Sequence, residues 1–236
     1  MKTSSGLEKK VGQSYDLLLS FSESHQPITF ANSLGVEDMV LTDMICRGNL
    51  DIEIFTLDTG RLHEQTYQLL EQIQRRYSKL LKVQYPDATA IEHYVQEQGI
   101  NAFYDSVDAR KTCCRIRKVE PLKRALHGKK AWVTGLRREQ SVTRDTLQAS
   151  EWDANFGLFK LNPLCDWSEQ DAWQYIQYYK VPYNALHDKH FPSIGCSPCT
   201  RAIHDGEDIR AGRWWWEDPK SKECGLHADT KQTEPA

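Results

Sequence analysis

Apolar positions recur along this chain with two periods, and the switches between them mark out its elements. Leu7, Val11, Tyr15, Leu18 and Leu19 fall at helical spacing and predict an amphipathic helix over 7–24. Pro27-Ile28-Thr29-Phe30-Ala31-Asn32 reads as a buried strand. Ser33-Leu34-Gly35 follows it, and Val36-Glu37-Asp38-Met39-Val40-Leu41 opens a helix. A second strand is predicted over 52–57, ending in Asp58-Thr59-Gly60, with a helix over about 62–77 behind it. A third strand over 81–85 closes at Pro86-Asp87 and precedes a short helix over 91–98. A helix over 117–126 ends near Gly128. The fourth strand, 131–136, runs into the polar stretch Arg137-Arg138-Glu139-Gln140-Ser141, and a fifth is predicted over 158–164. Ser168-Glu169-Gln170-Asp171 is a capping box for a helix that runs to Tyr179 and is stopped by Pro182.

Strands that alternate with helices predict an α/β fold, a mostly parallel sheet with helices on both faces. Ligands of such sheets sit at the C-terminal strand ends, so residues 33–35, 58–60 and 135–138 should crowd one edge. Ser33-Leu34-Gly35 is either an anion site, with amides and a helix N-terminus aimed at one point, or an ordinary loop with Gly35 at positive φ. After about residue 186 the pattern breaks down. The expected organisation is an α/β part over 1–186 and an irregular lid over 187–236 held by its own cysteines, together one structural domain.

Composition narrows the class. Hydrophobic content of 39% and charged content of 27% over 236 residues are those of a globular chain with a substantial core. A formal net charge of -3 provides no general basic field for nucleic acid. No apolar run approaches the roughly 20 residues that span a bilayer, so no membrane role is expected. The basic start Met1-Lys2-Thr3-Ser4-Ser5-Gly6 leads into no apolar segment of a secretory signal. The expected location is therefore cytoplasmic, where thiols stay reduced. Seven cysteines in that setting point to metal or redox chemistry, and the odd number argues against a simple disulfide framework.

Four of the cysteines come in pairs, Cys113-Cys114 and Cys196-Ser197-Pro198-Cys199. Four thiolates suggest a metal site. The second pair alone could equally be a redox dithiol. Adjacent cysteines rarely bridge each other and fit poorly on one tetrahedral zinc. Neighbouring irons of a cubane cluster suit them better, so iron–sulfur leads zinc. Cys113 and Cys114 could instead be small core residues, but Lys111, Arg115, Arg117 and Lys118 make their surroundings too charged. Cys46 and Cys165 lie among apolar neighbours and read as packing residues. Cys224 sits near Lys220, Lys222, Glu223 and His227, surroundings that favour a nucleophilic thiolate. It lacks a CxxC partner, so a redox cycle through it would need an external thiol.

Arg210 and Arg213, Arg115, Arg117 and Lys118, and Arg137, Arg138 and Arg144 form basic clusters in a net acidic chain, which implies a small polyanionic ligand. Trp214-Trp215-Trp216 beside Arg213 would suit single-stranded nucleic acid, but no basic groove accompanies it, and the run also suits packing of the tail.

From about residue 27 to His227 the chain resembles the assimilatory adenylyl-sulfate (APS) and phosphoadenylyl-sulfate (PAPS) reductases. The resemblance is carried by Ser33-Leu34-Gly35-Val36-Glu37-Asp38, Leu57-Asp58-Thr59-Gly60-Arg61, Cys113-Cys114-Arg115-Ile116-Arg117-Lys118, Gly135-Leu136-Arg137-Arg138-Glu139-Gln140-Ser141, Gly195-Cys196-Ser197-Pro198-Cys199, Gly212-Arg213-Trp214 and Glu223-Cys224-Gly225-Leu226-His227. It implies an adenine-nucleotide α-hydrolase-like fold, with residues 1–186 binding the nucleotide at the strand ends. It implies a [4Fe–4S] cluster on Cys113, Cys114, Cys196 and Cys199, and Cys224 as nucleophile. Lys118, Arg210, Arg213 and His227 are then expected at the sulfate and phosphate. The Ser33–Gly35 backbone is expected to help hold the anion, and Leu57, Asp58, Thr59, Gly135, Arg137 and Arg144 to line the substrate site. Both cysteine pairs favour APS over PAPS, with a PAPS or dual-specificity enzyme and, more distantly, a non-enzymatic iron–sulfur sensor as alternatives. Thioredoxin or glutaredoxin is the expected electron donor, and a homo-oligomer is compatible with the reading. Two positions depart from the family pattern: Leu34 stands where an aromatic is frequent, and Gln65 where Glu usually precedes Thr66.

Overall fold

The computed structural model describes residues 5–78, 81–140 and 144–218. Six strands form one sheet: β1 (Ile28–Ala31), β2 (Glu53–Leu57), β3 (Lys82–Gln84), β4 (Ala131–Val133), β5 (Ser150–Asp153) and β6 (Leu158–Leu161). Their order is β3-β2-β1-β4-β6-β5. Every pairing is parallel except β5 with β6. Phe30 of β1 lies in register with Ile54 of β2 and Val133 of β4. The helices are α1 (Ser5–Ser24), α2 (Val36–Arg47), α3 (Glu64–Tyr77), α4 (Ala88–Gln98), α5 (Val107–Cys114), α6 (Glu120–Leu126) and α7 (Glu169–Tyr179). None of the described helices is long and apolar enough to cross a membrane.

The strands are apolar on both faces because both faces are covered. Ile28, Phe30, Ile54, Ala131, Val133 and Leu161 pack with residues of α1, α2, α3 and α7 on one side. Phe55, Trp132 and Leu158 alternate to the other side, where α6 supplies Leu122, Ala125 and Leu126. Asp43, fully buried in α2, accepts hydrogen bonds from Tyr77 of α3 and Tyr175 of α7, both at 2.8 Å. The capping box forms as expected. Ser168 Oγ accepts from the Asp171 amide at 3.1 Å, and Asp171 accepts from the Ser168 amide at 2.8 Å.

Two expectations need correction. The helix expected over 117–126 begins ten residues earlier. α5 and α6 run on through a single π-turn, Arg115–Val119, and the cysteine pair forms the last residues of α5. The π-turn inserts extra backbone that turns the following side chains relative to the α5 face, a device frequent at functional sites. The strand β5 escaped the pattern because Ser150-Glu151-Trp152-Asp153 is polar and pairs only at the sheet edge.

The segment after α7 is irregular, with 3-10 turns at His187–Lys189 and Ser197–Cys199 and one antiparallel bridge, Thr200 with Arg213. What fixes it is a buried ion pair. Arg110 of α5 donates Nε and Nη2 to the two Glu217 carboxylate oxygens at 2.9 and 2.8 Å, with both side chains almost fully enclosed. Trp214 lies between the Arg110 and Arg213 guanidinium groups, 4.6 and 4.8 Å from its ring centre. Trp214 thus packs the segment onto the domain, as one reading of the aromatic run had it. Removing one partner of a buried pair leaves the other charge in a low-dielectric site, a loss of about 3–5 kcal/mol. Glu217→Ala should therefore lower unfolding stability by about that amount in denaturant titrations and expose residues 200–217 to limited proteolysis.

Candidate active site

The loops after β1, β2 and β4 meet at one edge of the sheet and frame a cavity of about 720 Å³. Ser33, Gly35, Leu57, Thr59, Gly135, Arg137 and Arg144 line it, together with Lys118 from the π-turn and Arg210 and Arg213 from the C-terminal segment. Asp58 does not line it. Its Oδ1 accepts from the Gly60 amide at 2.8 Å and from the Tyr67 hydroxyl at 3.0 Å, so it shapes the turn after β2. Cys224 and His227 lie outside the described residues.

The turn after β1 differs from both sequence readings. Gly35 has φ -76 and caps α2, whereas Leu34 takes the left-handed conformation at φ +66. A non-glycine residue there is strained by roughly 1–3 kcal/mol and needs support. Asn32 Oδ1 supplies it by accepting from the Leu34 amide at 2.6 Å. Ser33 donates both its amide (2.6 Å) and its hydroxyl (2.5 Å) to Asp38 Oδ2. The amides of Ser33 and Leu34 are therefore committed within the loop, and an anion is left with those from Gly35 onward at the start of α2.

Asp38 carries no role in the sequence reading, yet it links two walls of the cavity. Besides Ser33 it accepts from the Gly135 amide. A Cβ on residue 135 would overlap its Oδ1, so glycine is required there by close approach rather than by φ. Burial pushes the Asp38 carboxyl up to about 7. The hydrogen bonds from Ser33 and Gly135 oppose that rise and the charge of Glu37 adds to it. Arg137, expected as a ligand cation, is buried and already paired with Glu37 at 2.8 Å. Arg138 donates to the Leu147 carbonyl and pairs with Asp166, away from the cavity lining.

The two cysteine pairs come together as the sequence required. Cys113, Cys114, Cys196 and Cys199 line one small void, with Arg61, Arg110, Arg117, Lys118, Phe103 and Pro198 around them. Arg117, grouped above with the ligand-binding cations, instead donates Nη1 to the Thr59 carbonyl at 2.7 Å and ties the π-turn to the β2 loop. Thr59 Oγ1 lies 3.2 Å from Cys196 Sγ, and the Ser197 amide donates to the Arg61 carbonyl at 2.8 Å. Lys118 and Thr59 thus touch both centres, Lys118 lining the void and the cavity alike. Burial pushes the Cys199 thiol up to about 12, reinforced by Cys196 and Cys113 and opposed by Lys118 and Arg213. Burial also raises Cys113, with Arg117 opposing it. Four enclosed donors lie around these sulfurs without an oxygen or nitrogen acceptor, Tyr94 Oη, Arg117 Nε, Trp214 Nε1 and Trp216 Nε1, and Tyr94 and Arg117 lie against the Cys113 sulfur. Among the described residues no three His, Cys, Asp or Glu side chains converge as they would on a single ion. Cys165 is buried and Cys46 packs against the main core, as expected.

Comparison with known proteins gives a consistent result. Residues 27–202 match the family model described as "Phosphoadenosine phosphosulfate reductase domain". The chain is 58% identical over 212 residues to a protein of Allochromatium vinosum named adenosine 5'-phosphosulfate reductase, covering 90% of this chain and 83% of that one. It is 51% identical over 230 residues to a Burkholderia cepacia protein of the same name, covering 98% and 92%. Among solved structures it is similar in fold to a Candida auris phosphoadenylyl-sulfate reductase in complex with phosphate. The TM-score is 0.70 at 24% identity, over 86% of this chain and 99% of that one. A Candida glabrata FMN adenylyltransferase superposes with a TM-score of 0.56 at 17% identity, over 100% and 81%.

The Asp38 environment predicts a pH dependence of stability. In the unfolded chain this carboxyl releases its proton near pH 4, whereas in the fold it does so near 7. Between those values the native state holds the extra proton, so this group's contribution to stability declines as pH rises. Unfolding titrations at pH 5 and 7.5 should show that decline in the wild-type chain. It should be smaller by on the order of 2 kcal/mol in Asp38→Asn.

Proposed function

The chain belongs to the phosphoadenosine phosphosulfate reductase family and is an oxidoreductase that reduces adenylyl sulfate in sulfate assimilation, and we propose that thioredoxin or glutaredoxin supplies the electrons, in the cytoplasm, through a sulfonated Cys224. The carrying observation is the cavity at the strand ends, where Lys118, Arg144, Arg210 and Arg213 gather beside the α2 N-terminus. Such a site suits an adenine nucleotide bearing a phosphosulfate. Leu57 and Gly135 would contact the nucleoside, and the cations with the α2 amides would hold the anionic end.

In this reading the Cys224 thiolate attacks the sulfur of APS. The sulfur–oxygen bond breaks and AMP departs with the bonding pair. A thiolate of the donor protein then attacks the Cys224 sulfur, sulfite leaves, and a mixed disulfide forms. The donor's second thiol resolves that disulfide and returns Cys224 as thiol, so the dithiol delivers the two electrons. Lys118, Arg210 and Arg213 stabilise charge on the leaving phosphate and sulfonyl oxygens, and His227 is assigned to favour the Cys224 thiolate.

The four paired cysteines would hold a [4Fe–4S] cluster. Two features support it. The four line one void, and N–H and O–H donors that meet no oxygen or nitrogen acceptor surround them, as an electron-rich sulfide group requires. Bound there, it would supply a fixed charge and a covalent clasp between α5 and the C-terminal segment.

Sulfite release with thioredoxin as donor tests the reading. Cys224→Ser should abolish it while the iron and sulfide content stays unchanged. APS should be turned over much faster than PAPS, and equal rates would overturn the substrate assignment. Lys118→Ala removes one charge-assisted contact worth about 1.5–3 kcal/mol, so kcat/KM for APS should fall by about 10- to 150-fold.

A further inference from the structure

Tyr94 lies on α4, 3% exposed, in the same apolar cluster as the cysteines. Its hydroxyl is wholly enclosed, and no oxygen or nitrogen accepts from it. It faces the thiol of Cys113, which Arg117 also approaches. An enclosed hydroxyl without an acceptor costs about 1–3 kcal/mol, and phenylalanine would fill the same volume without that cost. A protonated thiol is a weak acceptor, whereas a ligating thiolate is a strong one.

Resting on the cluster reading above, we propose that Tyr94 is a positioning residue for the cluster, its hydroxyl donating a hydrogen bond to the sulfur of Cys113 when that sulfur ligates iron. The bond draws electron density from that thiolate and so protects the cluster against oxidation. Neighbouring Tyr104 provides the contrast. Its hydroxyl reaches the C-terminal segment and donates to the Pro198 carbonyl at 2.7 Å rather than to a sulfur.

The test compares wild type, Tyr94→Phe and Tyr104→Phe in the full chain, purified without oxygen. Iron and acid-labile sulfide are assayed first, then the rate at which visible absorbance is lost in air, and the iron–thiolate stretching bands by resonance Raman. Tyr94→Phe should hold as much iron and sulfide as wild type, bleach about two- to tenfold faster, as loss of one hydrogen bond of ordinary net strength implies, and show shifted iron–thiolate bands. Tyr104→Phe should match wild type in both. A Tyr94→Phe chain identical to wild type in bleaching and spectrum overturns the proposal. So does a Tyr104→Phe chain that changes equally, since that would mean general loosening. A wild-type chain without iron and sulfide overturns the cluster reading itself, an outcome the first assay separates from the other two.

Discussion

Cys113 and Cys199 are buried beside the other two paired sulfurs, and that burial opposes their ionisation. Burial raises both thiols, and the neighbouring cysteine sulfurs add to the rise. Positive charge close by opposes that rise, and the fold brings it from two sides: Arg117 and Lys118 on the π-turn and Arg213 on the C-terminal segment. Two of these cations, Lys118 and Arg213, also line the large cavity. The cysteine centre and the large cavity therefore draw on the same charges, so neither can be altered electrostatically without affecting the other.

The π-turn makes this sharing possible. It lets one helical run present Cys113 and Cys114 to the void, Arg117 to the Thr59 carbonyl and Lys118 to both sites within six residues. The opposite half of the void is held by contacts that do not depend on the sulfurs. The Arg110–Glu217 pair, Trp214 between two guanidinium groups, and the Ser197 amide on the Arg61 carbonyl each tie the segment to the body of the domain. The second cysteine pair is thus delivered by packing and charge pairing, and the sulfurs need not create their own scaffold.

Much of this was legible in the residues. Period and capping gave the order of strands and helices because the strands are covered on both faces and most helices carry one apolar stripe. The parts that escaped are those where polarity and burial part company. The stretch Asp108–Lys118 carries charges all round, yet Arg110 and Arg117 are buried, so no apolar stripe marked the helix. Asp38 and Asp43 are buried carboxyl groups among the apolar residues of α2, and Glu217 is a buried partner more than a hundred residues from Arg110. Each depends on a partner distant in sequence, which periodicity does not report. The cysteines were legible because four thiols constrain chemistry whatever the backbone does.

The turn after β1 shows how a correct motif can carry an incorrect contact. Ser33-Leu34-Gly35 before a helix suggests amides aimed at an anion. Here the first two amides already donate to Asp38 and Asn32, and those bonds hold Leu34 left-handed. The Asn32 and Asp38 side chains accept from these amides and fix the backbone before any ligand arrives. The amides left open lie at the α2 N-terminus, whose Gly35 brings no side chain of its own to compete. Asp38, lying beneath, would oppose a bound anion if ionised, and burial places its titration near neutrality, where a proton can relieve that repulsion. The strain at Leu34 and the raised carboxyl are two costs of one arrangement: a rigid, desolvated floor on which a negatively charged group can be positioned without reorganisation.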